Sequence, residues 1–380
     1  MVQFPQSTDN VVWARDAEDF LLSSPNGIEL FGSRVAPATQ LLQTHFDAEL
    51  LDQIHRFVPA ESNWGDDQLK QLVAQYEGVA TEHIIVTAGA TQGFDLVCRT
   101  MLRHGDEVIV ERPGYQVLSR IVNDYGAVAK PVKRGSGTDL LDFEEIRAAC
   151  TKRTRLIAVM NLHNPTGSQL TEGFIVELGK VANSVGATLL VDEVYRDFLP
   201  DTERRRLSRE PQTGVVRINS LAKTFGVDTL ACGWLIAPAH IVSLLHEQYA
   251  RSLISVSKLA LRAAVVVFNH LPEYFAHQQA VMARNTPVFD SFIADARSMD
   301  LIRGVRPNWG PIAFIEGAGL TDDRVWPWLA STRDLLLIPG AIYGAPGSTR
   351  IGFGGDTQRL TAGLDRLLDG LQEWRRLQIP

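Results

Sequence analysis

The stretch Val215-Val216-Arg217-Ile218-Asn219-Ser220-Leu221-Ala222-Lys223-Thr224-Phe225-Gly226 decides how this chain folds and what it can do. Its β-branched beginning, Val215 to Ile218, predicts a short strand, and Asn219 and Ser220 break the apolar run before Lys223. A lysine so placed stands at the mouth of a sheet. Its amine can condense with an aldehyde, and the neutral, nucleophilic form is favoured where the amine is desolvated or set beside another cation. Most lysines are simply solvated, so the assignment depends on what precedes Lys223 in the chain.

Upstream, residues 83–87 read as a strand, Ala88 to Gly93 as a tight turn, and residues 94–102 as an apolar helix. Small residues between a strand and a helix leave backbone amides free to bind a phosphate. Residues 107–110 form the next strand, Arg112-Pro113-Gly114 a turn, and Tyr115 opens a helix to Val122. Residues 156–160 are nearly all apolar and end in Asn161-Leu162-His163-Asn164-Pro165-Thr166-Gly167. A helix follows over residues 174–185, then a buried strand over residues 188–195 with Asp192 near its end. Continuous apolar strands alternating with helices imply a parallel sheet covered on both faces. Ligands in such sheets sit beyond the carboxyl ends of the strands, where the polar residues named here fall.

Residues 240 to about 298 read as helices, and the face Val256, Leu259, Ala260, Ala263, Ala264 and Val267 is expected in the core. Alternation returns over residues 311–315, 335–339 and 349–353, before a final helix. The expected fold class is α/β: a large domain with a mostly parallel sheet sandwiched by helices, and a smaller α+β domain. An N-terminal arm is expected over residues 1–27, a small-domain segment over 28–50, the large domain over 51–290 and the small C-terminal domain over 291–380. The run Thr202-Glu203-Arg204-Arg205-Arg206 is expected to be a solvated loop.

A chain of 380 residues exceeds one hydrophobic core. Its 45% hydrophobic and 21% charged residues are those of an ordinary soluble enzyme. A net charge of −7 leaves no electrostatic footprint for nucleic acid or an anionic membrane. Cys98, Cys150 and Cys232 are far apart and form no Cys-x-x-Cys pair, so neither a disulfide framework nor a metal site is expected. No basic-then-apolar leader opens the chain and no apolar run approaches the roughly 20 residues a membrane span needs; a cytoplasmic location is expected.

Asn164, Asp192, Tyr195 and Lys223 follow one another at intervals of about one βα unit. Through Asn164-Pro165-Thr166-Gly167, Asp192-Glu193-Val194-Tyr195 and Ser220-x-x-Lys223, in that order, nearly the whole chain resembles the fold-type I pyridoxal-phosphate enzymes of the class I/II aminotransferase family. The resemblance implies that Lys223 holds pyridoxal 5′-phosphate as a Schiff base and then shuttles protons. It implies that Asp192 pairs with the ring nitrogen, Asn164 and Tyr195 bond the phenolic oxygen, and Tyr115 stacks on the ring. Ala90, Thr91 and Ser220 match the phosphate cradle. Arg350, in Thr349-Arg350-Ile351-Gly352-Phe353, matches the arginine whose planar fork receives the substrate α-carboxylate, with Gly32 closing over it and Asn164 also counted among the substrate-binding residues. A homodimer with sites at the subunit interface is implied as well.

Three positions depart from the pattern. The arginine that usually helps hold the phosphate is Ala231, a glycine two residues earlier is Thr229, and an aromatic lent by the partner subunit is Ala60, for which Asn63 or Trp64 could substitute. Residues 30–35 and 62–65 also distantly resemble the capreomycidine-synthase branch. The activity expected is transfer of the amino group of an L-amino acid to a 2-oxo acid, with a lyase, cyclase or oxidase acting on an amino acid in specialised metabolism as the alternative. An intact Lys223, Asp192 and Tyr195 argue against a non-catalytic binding module.

Overall fold

Short β-branched and aliphatic runs, apolar on both faces, form the centre of the molecule. The computed structural model describes residues 4–5, 7, 10–52, 67–135, 141–204, 212–252 and 256–378. Ala60, Asn63, Trp64, Arg205 and Arg206 lie outside the described residues.

Strand β1 (Ile28–Glu29) belongs to the small domain. The large sheet comprises β2 (Ile84–Thr87), β3 (Glu107–Arg112), β4 (Val128–Lys133), β5 (Thr154–Met160), β6 (Thr188–Asp192), β7 (Val215–Ser220) and β8 (Gly233–Ile236), in the order β2-β8-β7-β6-β5-β3-β4. β7, β6, β5, β3 and β4 run parallel, whereas β8 is antiparallel to both its neighbours. Alternate side chains of each strand feed different faces. Leu156, Ala158, Leu190, Val216 and Ile218 join one helix-covered core; Ile157, Val159, Leu189, Val191 and Val215 join another on the opposite face.

In the small domain β9 (Ile312–Glu316), β11 (Ile338–Pro339) and β12 (Ser348–Gly352) make an antiparallel sheet in the order β11-β12-β9. β10 (Leu335–Leu336) pairs with β1 instead. The single strand expected over residues 335–339 is therefore two, split at Leu337. The helix Leu271–Ser298 joins the two cores: Tyr274 and Val281 pack in the first, Phe289, Phe292 and Ile293 in that of the small domain. The boundary expected at residue 290 falls inside this helix.

Other expectations are corrected locally. β6 ends at Asp192, because the Asp192 carboxylate accepts the Val194 N–H at 3.1 Å and turns the chain before Tyr195. The helix expected from Phe94 begins at Ala90. Asp201–Arg204 is a short helix, not a loop, with Arg204 paired to Asp201 at 2.9 Å and its guanidinium 4.2 Å from the Phe275 ring centre. Leu259 is exposed, while Val256, Ala263, Ala264 and Val267 are buried as expected. Among the described residues no helix is long and apolar enough to cross a membrane.

Candidate active site

Register alone gathers the first residues. Met160, Asp192 and Ile218 are cross-strand partners, so the carboxylate of Asp192 lies at the carboxyl edge of three adjacent parallel strands. Burial pushes its pKa up to about 6, against the pull of the Val194 amide and of Lys223. Lys223, just past β7, is half-buried and donates to Ser33 Oγ at 3.4 Å. Burial pushes its amine down to about 8; Arg350 and Arg34 act in the same direction, and Asp192 and Asp228 oppose them. Tyr195 is buried beside Ser33, and burial raises its pKa to about 12 against the pull of Arg350 and of Ser33.

The strand β8 brings the next set together. Gly233 pairs with Thr87 on one side and Ser220 on the other, setting buried Ser220 beside the turn that leads into Ala90 and Thr91. Gly89 has φ 83°, a left-handed conformation that glycine adopts without strain. A Cβ on Gly233 would stand 2.6 Å from the Gly89 carbonyl carbon and 2.9 Å from the Ala90 nitrogen, so only glycine lets the strand pass this close. The first amides of the helix Ala90–Met101 have no acceptor within the helix and suit an anion. Ala231 is exposed, with φ 46°. Three residues before it, Asp228 pairs with Arg34 at 3.1 Å.

Arg350 comes from the small domain. On β12 it faces Phe314 of β9 and Ile338 of β11, and it is buried. Its guanidinium donates through Nη1 to Asn164 Oδ1 at 2.9 Å and through Nη2 to the Phe31 carbonyl at 2.5 Å. The Gly352 N–H donates to the Leu30 carbonyl at 2.7 Å, and a Cβ at Gly352 would overlap the Gly32 carbonyl. Glu29 fixes the loop by accepting the Phe31 and Gly32 amides at 2.9 and 2.7 Å. From there the Val35 N–H reaches the Lys223 carbonyl at 3.0 Å. Tyr115 feels both Arg350 and Asp192, with burial raising its pKa.

Gly32, Tyr115, Asn164, Asp192, Tyr195, Lys223 and Arg350 thus converge at one place, and Ser220 lies next to the turn that leads into Ala90 and Thr91. Sequence reasoning did not single out Ser33, Glu29 or Tyr343 for the site. Tyr343 is buried, its ring centre 5.2 Å from Arg350 Cζ. Its only signal in the sequence is a position between Gly340 and Gly344, shortly before Arg350.

Residues 35–367 match the model of the family described as aminotransferase class I and II. An aspartate aminotransferase of Pyrococcus horikoshii is 24% identical, with 82% of each chain covered. A capreomycidine synthase of Streptomyces vinaceus is 27% identical, over 81% of this chain and 79% of that one. The solved structure of an aspartate aminotransferase from Thermotoga maritima superposes with a TM-score of 0.83, covering 97% of this chain and 98% of that one at 21% identity; it shows the fold.

Proposed function

Since the chain belongs to the aminotransferase class I and II family, whose members use pyridoxal 5′-phosphate, we propose that it moves the amino group of an L-amino acid to a 2-oxo acid. The observation that carries this reading is the convergence of Arg350, a buried guanidinium whose fork spans Asn164 and the Phe31 carbonyl, on a lysine whose pKa is lowered to about 8 and which feels the charges of both Arg350 and Asp192. An amino acid anchored by its carboxylate at Arg350 presents its amine and α-carbon to Lys223.

The donor set fits the cofactor. The Tyr195 hydroxyl is a buried polar atom with no fully formed hydrogen bond among the described residues, Asp192 is a buried carboxylate, and the Ala90 turn passes so close to Gly233 that a Cβ there would strike its backbone. In this reading Asp192 holds the ring nitrogen, Tyr195 and Asn164 the phenolic oxygen, Tyr115 the ring face, and Ala90, Thr91 and Ser220 the phosphate. When bound, the group supplies an electron sink and a carbonyl carbon able to form a covalent link with an amine. Lys223 Nζ, with a pKa near 8, has a neutral form available at physiological pH to take the α-proton and return it elsewhere. Arg350 and Gly32 orient the substrate carboxylate so that the α-proton faces Nζ, and Asp192 keeps a proton on its partner nitrogen.

A second reading, cyclisation or another conversion of an amino acid without net transfer, is favoured by the likeness to capreomycidine synthase and by Ala231 in place of a cation near the phosphate. The deciding experiment incubates the loaded enzyme with a panel of amino acids, with and without a 2-oxo acid and oxygen, and follows products by mass. Formation of a new amino acid only when the 2-oxo acid is present supports transfer. A cyclic, eliminated or oxidised product independent of it overturns transfer.

Arg350→Lys should raise the KM for the amino acid about ten-fold or more, because an ammonium replaces a fork that makes two parallel charge-assisted hydrogen bonds. Steady-state kinetics measures it, and an unchanged KM means the carboxylate binds elsewhere. A homodimer with sites at its interface completes this reading.

A further inference from the structure

Tyr343 ends the turn Gly340–Tyr343, and its exposure is 0%. Its ring lies against Arg350, 5.2 Å from Cζ, and is met edge-on by Phe314 at 5.9 Å. Its carbonyl accepts the Gly114 N–H at 3.1 Å, and the next carbonyl, of Gly344, accepts Arg112 Nε at 3.3 Å. One residue of the small domain therefore touches both the arginine of the site and the turn that carries Tyr115.

The Tyr343 hydroxyl is buried and has no hydrogen-bond partner among the described residues, and the same is true of Arg350 Nε. Burial raises the phenol's pKa, so it is a neutral O–H donor throughout the physiological range. A buried donor without an acceptor is costly and rare in a finished structure. Here two such donors belong to side chains packed on one another. What both lack is an acceptor, and a carboxylate offers about four lone-pair sites.

We propose that Tyr343 is a positioning residue for Arg350, its ring carrying the guanidinium, and that its hydroxyl donates a hydrogen bond to the carboxylate of the bound amino acid. A guanidinium over an aromatic face within about 6 Å is attracted to it, which favours the fork keeping its position when substrate replaces part of its contact with Asn164 and Phe31. The inference rests on Arg350 as the carboxylate group.

The test compares Tyr343→Phe, Tyr343→Leu and Arg350→Lys in the loaded enzyme. The readouts are KM and kcat for an amino-acid substrate, inhibition by propionate as a bare carboxylate probe, and melting temperature. Tyr343→Phe should raise KM and weaken propionate together by about ten-fold, the scale of one hydrogen bond to a charged group, with kcat and melting temperature little changed. Tyr343→Leu should weaken both further, and Phe should rescue that extra part. If Arg350→Lys weakens propionate while Tyr343→Phe matches the parent, the hydroxyl contact is refuted and the role of Arg350 stands. If neither variant affects propionate, both fail. A Tyr343→Phe protein that loses melting temperature with KM unchanged shows a purely structural tyrosine and also overturns the inference.

Discussion

Lys223→Ala is expected to abolish covalent attachment of pyridoxal phosphate and to cut turnover by about ten-thousand-fold or more, while the cofactor-free protein melts no lower than the parent. The lost proton transfer alone accounts for roughly a hundred- to ten-thousand-fold, and loss of the covalent link adds to it. The fold has little to lose, since the amine's one hydrogen bond among the described residues, to Ser33 at 3.4 Å, is long. Its pKa is lowered from 10.5 to about 8 on folding, so the fold disfavours the charged amine. That cost is present in full below about pH 8, shrinks as pH rises, and is gone only above pH 10.5, where the unfolded chain has lost the proton too. Any stabilisation of the alanine variant should follow the same profile. Borohydride reduction followed by intact mass reads the covalent link, and melts at pH 7 and 10.5 read the fold. A reducible adduct that persists in the variant would overturn the assignment.

The parts of this architecture that were legible in sequence are those where a segment's burial is uniform. β5, β6 and β7 are apolar on both faces because helices cover both, and the residues that interrupt the apolar pattern, Asn161, Asp192 and Ser220, mark the carboxyl edge where the candidate site lies. β4 was not among the expected strands. It lies at the sheet edge with Lys130, Pro131 and Lys133, tolerated there because one side of the ladder is unpaired. Leu335 to Pro339 reads as one strand; only partners far along the chain, Ile28 and Arg350, divide it between two sheets. Asn164 and Arg350 were each assigned to the site through motif resemblance, not through any local pattern, and their direct contact across 186 residues was not foreseen. Ser33 and Tyr343 carried no such signal, since what matters about them, a lysine overhead or an unanswered hydroxyl, exists only after the domains pack.

Asp192→Asn should slow removal of the substrate α-proton by about a hundred- to a thousand-fold, the scale of losing one preorganised electrostatic partner, and should leave the cofactor-free fold as stable or more so. The carboxylate is 7% exposed, and burial raises its pKa from 3.8 to about 6. The sign follows from that direction. The fold disfavours the ionised form, so the cost of keeping it grows as pH rises from about 4 to 6 and is complete above 6. A shift of about two units corresponds to roughly 3 kcal/mol at most. Asparagine removes the charge yet keeps Oδ1 to accept the Val194 N–H now bonded at 3.1 Å. At pH 7 the variant should therefore melt at the same temperature or higher, with the difference fading below about pH 4. In the proposed reading a cationic ring nitrogen would give this charge a partner, and an amide could not keep that proton in place, so the carboxylate would serve the reaction where it burdens the cofactor-free fold. Exchange of the α-proton for deuterium, followed by NMR, measures the first effect, and calorimetry across pH 4 to 8 measures the second. An unchanged exchange rate would show that Asp192 is not the ring partner. A lower melting temperature at pH 7 would show that the carboxylate serves the fold instead.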